Sequence, residues 1–211
     1  MGEPNEPIDY FMVAASPYVY LGHERFVALA RRHGAPVRLK PFDLGRVFAQ
    51  SGGLPLARRA PQRQAYRLVE LRRWGEVLGL PINLHPKHFP VAGDDAARLL
   101  LAADAAYGTD AALALAGTLL RAVWAGERDI ADRGTLSELA DGCGLDGAAL
   151  IEASDSPAVH ARYEANTQEA IDAQVFGAPW YVWRGEPFWG QDRLELLERA
   201  LAARGRAALR P

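Results

Sequence analysis

The chain has 211 residues, of which 49% are hydrophobic and 24% are charged, and its formal net charge is −2. This length allows one large domain or two closely merged domains with a sizeable core. The small net charge gives no field that would recruit nucleic acid or an anionic membrane. The single cysteine, Cys143, excludes an internal disulfide and a dithiol redox motif, and we expect it to be structural.

Neither a membrane span nor a secretory signal is expected. No apolar run approaches the roughly 18 residues that a spanning helix needs. Residues 1–7 are polar, with two acids and two prolines, and lack the basic flank and apolar stretch of a signal peptide. Together with the low cysteine content, these features predict a cytoplasmic protein.

The first part of the chain predicts a β-α-β unit. Residues 8–14 are short, apolar and rich in aromatics, which is typical of a buried strand. Ser16 is a preferred helix N-cap and Pro17 suits the first helical position, so a helix is predicted from Pro17 to about Gly34. Residues 37–42 alternate between apolar and polar and predict a second strand.

The middle of the chain is predicted to be helical. Residues 45–61 contain several glycines and prolines and are expected to be irregular. Thr135 and Glu138 have the spacing of a capping box. A proline-rich connection is expected over residues 81–90. Apolar periodicity predicts helices over residues 62–78, 94–106, 109–125, from 135 onwards, 146–153 and 157–173.

The last part returns to β-structure before a final helix. The predicted elements are a strand over residues 175–183, a short partner strand over 187–189 and a helix over 193–203. The two ends of the chain thus form a βαβ…ββα frame that a helical insertion interrupts. We expect one domain from residues 1–45 plus 174–211, and an inserted helical domain from 46–173.

Several segments resemble those of 2-hydroxychromene-2-carboxylate isomerases. Residues 16–21 (SPYVYL) are similar to that family's SPYSYL segment, residues 176–179 (FGAP) to its FGVP loop, and residues 188–194 (FWGQDRL) to its WWGNDRL segment. Residues 66–74 resemble its first inserted helix. The resemblance places the chain in the DsbA-like and kappa-class glutathione transferase branch of the thioredoxin superfamily. It implies an α/β thioredoxin-like fold interrupted by an all-helical insertion.

Ser16 has two interpretations. The simpler one is an ordinary N-cap, but the start of a helix also favours an anion. The resemblance implies that this anion is the thiolate of glutathione, a cofactor, and that Ser16 is the catalytic residue that stabilises it without attacking the substrate. Lowering a thiol pKa from about 8.5 to about 6.5 requires roughly 2.7 kcal/mol. A helix terminus contributes about 0.3–1 kcal/mol and a hydroxyl hydrogen bond to an anion about 1.5–3, so the hydroxyl is needed.

The resemblance implies four further contacts with glutathione. It makes the Ala178–Pro179 bond cis, so that the Ala178 backbone pairs with the extended peptide. Gln191 and Asp192, which would otherwise be an N-cap for the last helix, are expected to hold the γ-glutamyl end. Arg63 replaces a lysine of the relatives that contacts a glutathione carboxylate, with a different geometry of the charged group.

The substrate is expected to be a small aromatic or bicyclic carboxylate. We expect Arg46, Tyr66 and His88 to contact it. Residues 13–15 (VAA) replace an Asp-Phe pair common in relatives, and the smaller side chains are expected to widen the pocket or change its preference. His85 and His88 lack a third ligand at a fitting spacing, so no metal site is predicted.

Three functions stay open from the sequence. The leading hypothesis is a glutathione-dependent isomerase of aromatic catabolism, in which the thiolate adds to the substrate and leaves again. The alternatives are a kappa-like glutathione transferase and a thioredoxin-fold binding module without catalysis. A homodimer is expected from the resemblance only.

A run of basic residues is interpreted mainly as a solvated helix face, and it lacks the interleaved aromatics of a nucleic-acid site. The run consists of Arg58, Arg59, Arg63, Arg67, Arg72 and Arg73.

Overall fold

A computed structural model describes the backbone of residues 6–207 and the side chains of residues 6–203. These residues form one four-stranded sheet and a set of helices that pack around it. The strands are β1 (Ile8–Met12), β2 (Val37–Pro41), β3 (Trp180–Trp183) and β4 (Glu186–Trp189). The first helices are α1 (Pro17–Arg32), α2 (Leu44–Ser51), a 3-10 turn at Leu56–Arg58, and α3 (Pro61–Leu78).

The remaining helices complete the insertion and the C-terminal part. They are α4 (Asp94–Tyr107), α5 (Thr109–Trp124), α6 (Arg133–Asp141), α7 (Gly147–Ser154) and α8 (Pro157–Asp172), followed after β4 by a 3-10 turn (Gln191–Arg193) and α9 (Leu194–Ala207). Within the described residues, no helix has both the length and the apolar character needed to span a membrane.

The sheet has the order β2-β1-β3-β4. β1 runs parallel to β2, with Tyr10 opposite Leu39, and antiparallel to β3, with Tyr10 opposite Tyr181. β3 and β4 are antiparallel neighbours. This arrangement confirms the predicted βαβ…ββα frame with a helical insertion.

The third strand is shorter than predicted, because residues 175–179 form a loop that leads into it. Pro179 has no N–H for a strand ladder. Gly177 lies so close to the indole of Trp189 that a Cβ there would be 2.6 Å from Nε1. The apolar character of residues 175–179 therefore reflects packing of the loop rather than a longer strand.

The prediction of irregular structure over residues 45–61 was wrong for residues 45–51, 56–58 and 61, which are helical, and right for residues 52–55 and 59–60. Asp43 caps α2 by accepting hydrogen bonds from the backbone N–H groups of Gly45, at 2.8 Å, and Arg46, at 3.2 Å. Gly52 ends the helix with a φ of 74°, which glycine adopts easily. The glycines and prolines of this segment thus mark the ends of short helical pieces.

The predicted capping box at α6 was also wrong. The helix begins two residues before Thr135, and Asp132 is its N-cap, accepting from the Thr135 N–H at 2.7 Å. Asp is as good a cap as Ser and better than Thr, so the local preference of Asp132 decided the start of the helix.

The core joins the sheet to the insertion. The rings of Tyr10, Phe26 and Tyr181 pack on each other with centroids 4.4–5.3 Å apart. The imidazole of His23 is buried beside them, with Nδ1 3.1 Å from the Tyr10 hydroxyl and Nε2 2.9 Å from the Leu113 carbonyl of α5. One hydrophobic cluster includes side chains of both predicted domains.

Candidate active site

Ser16 lies between β1 and α1, at the first turn of the helix. Its hydroxyl oxygen accepts a hydrogen bond from the Val19 N–H at 3.3 Å, which makes it the N-cap that the sequence predicts. The same hydroxyl donates to the Ala178 carbonyl at 3.5 Å. Both distances are longer than the usual range for such bonds, so both bonds are weak. The Ser16 hydroxyl is thus held loosely at the positive end of α1.

The loop before β3 faces this hydroxyl. The Ala178–Pro179 bond is cis, as expected. Within the described part of the chain, the Ala178 N–H has no hydrogen-bond partner. Phe176 packs edge-on against Trp189 with ring centroids 4.6 Å apart, and both rings are partly exposed. The loop therefore presents one free backbone donor and an aromatic wall beside Ser16.

A cavity of about 270 Å³ opens between these elements. Of the three residues expected to shape the pocket, Val13 and Ala15 line it next to Ser16, whereas Ala14 is buried and does not. Among the described residues its walls carry two arginines and no carboxylate. The remaining lining residues are Pro17, Tyr18, Leu44, Phe48, Leu56, Arg59, Arg67, Phe89, Phe176, Gly177, Ala178 and Trp189. The cavity is thus mainly apolar, aromatic and positively charged.

A second cavity of about 290 Å³ adjoins the first. The two cavities share four lining residues: Tyr18, Arg59, Ala178 and Trp189. The second cavity extends to Gln191 and Asp192 at the start of the final helical segment. Burial raises the pKa of Tyr18, so its phenol stays protonated at neutral pH on the wall between the cavities.

Gln191 and Asp192 differ in how free they are. Gln191 is buried, and its side-chain oxygen accepts from the Arg25 guanidinium at 2.8 Å. Gly22 of α1 allows this packing, because a Cβ there would lie 2.8 Å from the Cβ of Gln191. Asp192 is exposed and pairs with Arg193 at 2.5 Å, and it does not cap α9. The Asp192 carboxylate is therefore accessible to a ligand, whereas the Gln191 amide is buried.

Arg63 lines a third cavity of about 430 Å³ next to the first. The two cavities share Phe48, Arg59, Phe176 and Trp189. Its side chain is exposed on the first turn of α3. The fold therefore brings Arg63 close to the site, although Arg59 is the arginine that lines all three cavities. Nothing in the sequence singled out Arg59 from its neighbours in the basic run.

The three residues expected at the substrate do not line the Ser16 cavity. Arg46 forms an ion pair with Glu164. His88 is 3.5 Å from the carboxylate of Asp129. Tyr66 is 59% exposed on α3.

Arg67 is a site residue that the sequence interpretation missed. It is 8% exposed and lines the Ser16 cavity, with its guanidinium 5.2 Å from the Phe89 centroid and 5.5 Å from the Trp124 centroid. Burial lowers its pKa. The buried side of α3 is formed by Arg67, Leu71 and Gly75, four residues apart. That spacing was the signal that Arg67 faces inward.

Cys143 lies outside these cavities, with Sγ 3.2 Å from the Thr118 hydroxyl and its side chain packed against the core. This packing is consistent with a structural role. In the part of the chain that the structure describes, no group of three or more His, Cys, Asp or Glu side chains is placed to hold a metal ion.

Comparisons with known proteins agree with this fold. The family model of the DSBA-like thioredoxin domain matches residues 7–202. The chain is 31% identical to 2-hydroxychromene-2-carboxylate isomerase from Pseudomonas putida over 196 residues, covering 92% of this chain and 93% of that protein. It is 26% identical to glutathione S-transferase kappa 1 from Caenorhabditis elegans, covering 90% and 88%. A solved structure of a 2-hydroxychromene-2-carboxylate isomerase matches with a TM-score of 0.79 and 26% identity, covering 97% and 99% of the two chains.

Proposed function

The chain belongs to the DSBA-like thioredoxin family and, within it, to the 2-hydroxychromene-2-carboxylate isomerase family of enzymes, and from this premise we propose that it is a glutathione-dependent isomerase of an aromatic carboxylate. The family predicted from the sequence is confirmed. The observation that carries the proposal is the Ser16 hydroxyl at the start of α1, which contacts the Ala178 carbonyl and lines with it a cavity with aromatic walls. An isomerase of this kind needs a place for a sulfur anion and a place for a flat substrate, and this cavity offers both a helix N-terminus and aromatic walls.

The residues present fit glutathione. The Ala178 N–H lacks an internal partner and can pair with an extended peptide backbone. The Asp192 carboxylate, in the adjoining cavity, can accept from an ammonium group. Because the two cavities share a wall, a ligand that reaches from Asp192 past Ala178 to Ser16 would pass through both.

Bound glutathione would supply a thiol nucleophile that is returned unchanged. The chain's own part is electrostatic. The Tyr18 N–H lies at the positive end of α1, where Pro17 has no N–H and the Val19 N–H is already bonded to Ser16. The Ser16 hydroxyl would turn from the Ala178 carbonyl to donate to a sulfur anion held there. Tyr18 stays a phenol and can hold or donate a proton there. The ring of Phe176 and the indole of Trp189 give the cavity an apolar wall for a flat substrate.

The test measures turnover and thiol together. The purified protein is mixed with 2-hydroxychromene-2-carboxylate and glutathione, and the isomer and the free thiol are both followed. The proposal expects many turnovers with no loss of thiol. A stoichiometric loss of thiol would contradict it and would favour the second candidate, a kappa-like glutathione transferase, to which the similarity with the Caenorhabditis elegans enzyme points.

Thermal unfolding separates both enzymes from a binding module without catalysis. A ligand present at about 100 times its dissociation constant should add about 2.7 kcal/mol of stability. An unchanged melting temperature at millimolar glutathione would contradict a glutathione site of any kind.

A further inference from the structure

Arg67 is a buried cation without a hydrogen-bond or ion-pair partner among the residues that the structure describes. Its guanidinium makes no hydrogen bond and no ion pair with any residue of the described chain, and its Nη2 is inaccessible to solvent. Its neighbours are the rings of Phe89 and Trp124, which lie under the charge but accept no conventional hydrogen bond. A buried charge of this kind is costly unless it is paired, so its retention calls for an anion from outside.

The surroundings do not supply that anion. Arg59, the other cation of the cavity, donates its Nε–H to the Leu54 carbonyl at 2.8 Å and lies over the Phe48 ring. The nearest acid on α3, Glu70, belongs to the adjoining cavity and accepts from Arg73 at 2.9 Å. The Ser16 cavity therefore holds positive charge that no carboxylate among its described lining residues balances.

We propose that Arg67 is the residue that recognises the carboxylate of the substrate. The anion enters the Ser16 cavity and accepts charged hydrogen bonds from the guanidinium, while the ring of the acid packs against the aromatic wall formed by Phe48, Phe89 and Phe176. The inference rests on the proposed function, which supplies the substrate class. It goes beyond that function by assigning specificity for acids to one side chain.

A glutathione carboxylate is the other anion that could reach this region. The position of Arg67 argues against it, because Arg67 lines the Ser16 cavity and does not line the cavity that holds Gln191 and Asp192. The walls around Arg67 are also aromatic, which suits a flat ring better than a peptide backbone. Glutathione remains a distinct outcome of the test.

The test compares an aromatic acid with its neutral amide, without glutathione. The probes are 2-naphthoate and 2-naphthamide, and the dissociation constants are measured by calorimetry for the full chain and three variants. The wild type should bind the acid about 10- to 100-fold more tightly than the amide, the range expected for charged hydrogen bonds. Arg67→Met should abolish this preference. Arg67→Lys should keep part of it, because the charge remains and the planar fork is lost.

Arg72→Met is the matched control. Arg72 lies on the same helix, is exposed and lines neither cavity, so its loss removes the same charge and should leave the preference for the acid unchanged. Arg67→Met should also fold, with a melting temperature equal to or above that of the wild type, because a methionine replaces an unpaired buried charge.

Three results would overturn the inference. They are a wild type that shows no preference for the acid, an Arg67→Met variant that keeps the preference, and a loss of affinity of this variant for glutathione instead, which a separate glutathione titration by calorimetry measures. Because the naphthoate measurement contains no glutathione, its outcome is independent of the thiol test above. A protein that keeps an anionic thiol at Ser16 but fails here would refute the role of Arg67 alone.

Discussion

Replacing Ser16 by alanine separates the structural and chemical roles of its hydroxyl. As a cap, the hydroxyl accepts one bond of 3.3 Å, and its loss should cost about 1 kcal/mol of folding free energy. As a donor to a sulfur anion, it should contribute about 1.5–3 kcal/mol. At about 1.36 kcal/mol per pKa unit, Ser16→Ala should raise the pKa of bound glutathione by roughly 1–2 units. The helix terminus remains and should keep that pKa somewhat below the free value of about 8.5.

The assay is a titration of thiolate absorbance in the presence of saturating glutathione, with a matched control from the same chain. Ser156 is followed by Pro157 and caps α8 by accepting from the Val159 N–H at 3.4 Å, so it repeats the local geometry of Ser16 away from the site. Ser156→Ala should lose a similar amount of stability and leave the thiol pKa unchanged. A Ser16→Ala curve identical to that of the wild type would refute the chemical role of the hydroxyl.

Three further predictions concern binding and stability. Asp192→Asn should weaken glutathione binding about tenfold in calorimetry and leave the melting temperature nearly unchanged, because an exposed ion pair contributes little. Gly22→Ala should lower the urea-unfolding free energy by about 1–3 kcal/mol, because its Cβ meets Gln191, whereas Gly93→Ala meets nothing within 4 Å. Burial lowers the pKa of His23, so the unfolded chain takes up a proton near pH 6.5 and the folded protein does not. The contribution of His23 to the free energy of unfolding should therefore be fully present above this pH and should decrease below it. Urea midpoints measured across pH would show this.

Each of these has a contrary result. Unchanged glutathione affinity in Asp192→Asn would remove this carboxylate from the binding site. Equal stability of the Gly22 and Gly93 variants would mean that the contact with Gln191 relaxes freely. Urea midpoints that stay level as the pH drops below 6.5 would show that His23 is protonated in the folded protein.

Local chemistry made part of the fold predictable. The Ser16–Pro17 pair specifies the start of α1 through side-chain capping and a fixed φ, and the structure has the helix there. Asp43 caps α2 by the same chemistry, but the sequence analysis did not predict this helix. Glycines usually indicate a loop, and here Gly52 instead ends the helix. Predictions from pattern are thus weakest where a short helix lies between glycines.

The sequence predicted residues of the candidate site correctly only within the segments that resemble the family's motifs. Ala178 reaches Ser16 because the sheet places β3 beside β1, and Asp192 lies in the adjoining cavity. The resemblance implied both residues as parts of the site. Arg46 and His88 instead face Glu164 and Asp129, contacts between distant segments that no local pattern reveals. Arg67 was hidden in a run of arginines, and only its packing in the fold distinguishes it from the solvated ones.

The most direct test of the whole account is a crystal structure of the protein with glutathione. We predict that the sulfur lies within hydrogen-bonding distance of the Ser16 hydroxyl, with the peptide backbone paired to Ala178. A sulfur found elsewhere, with the Ser16 hydroxyl still donating to the Ala178 carbonyl, would contradict the proposed chemistry.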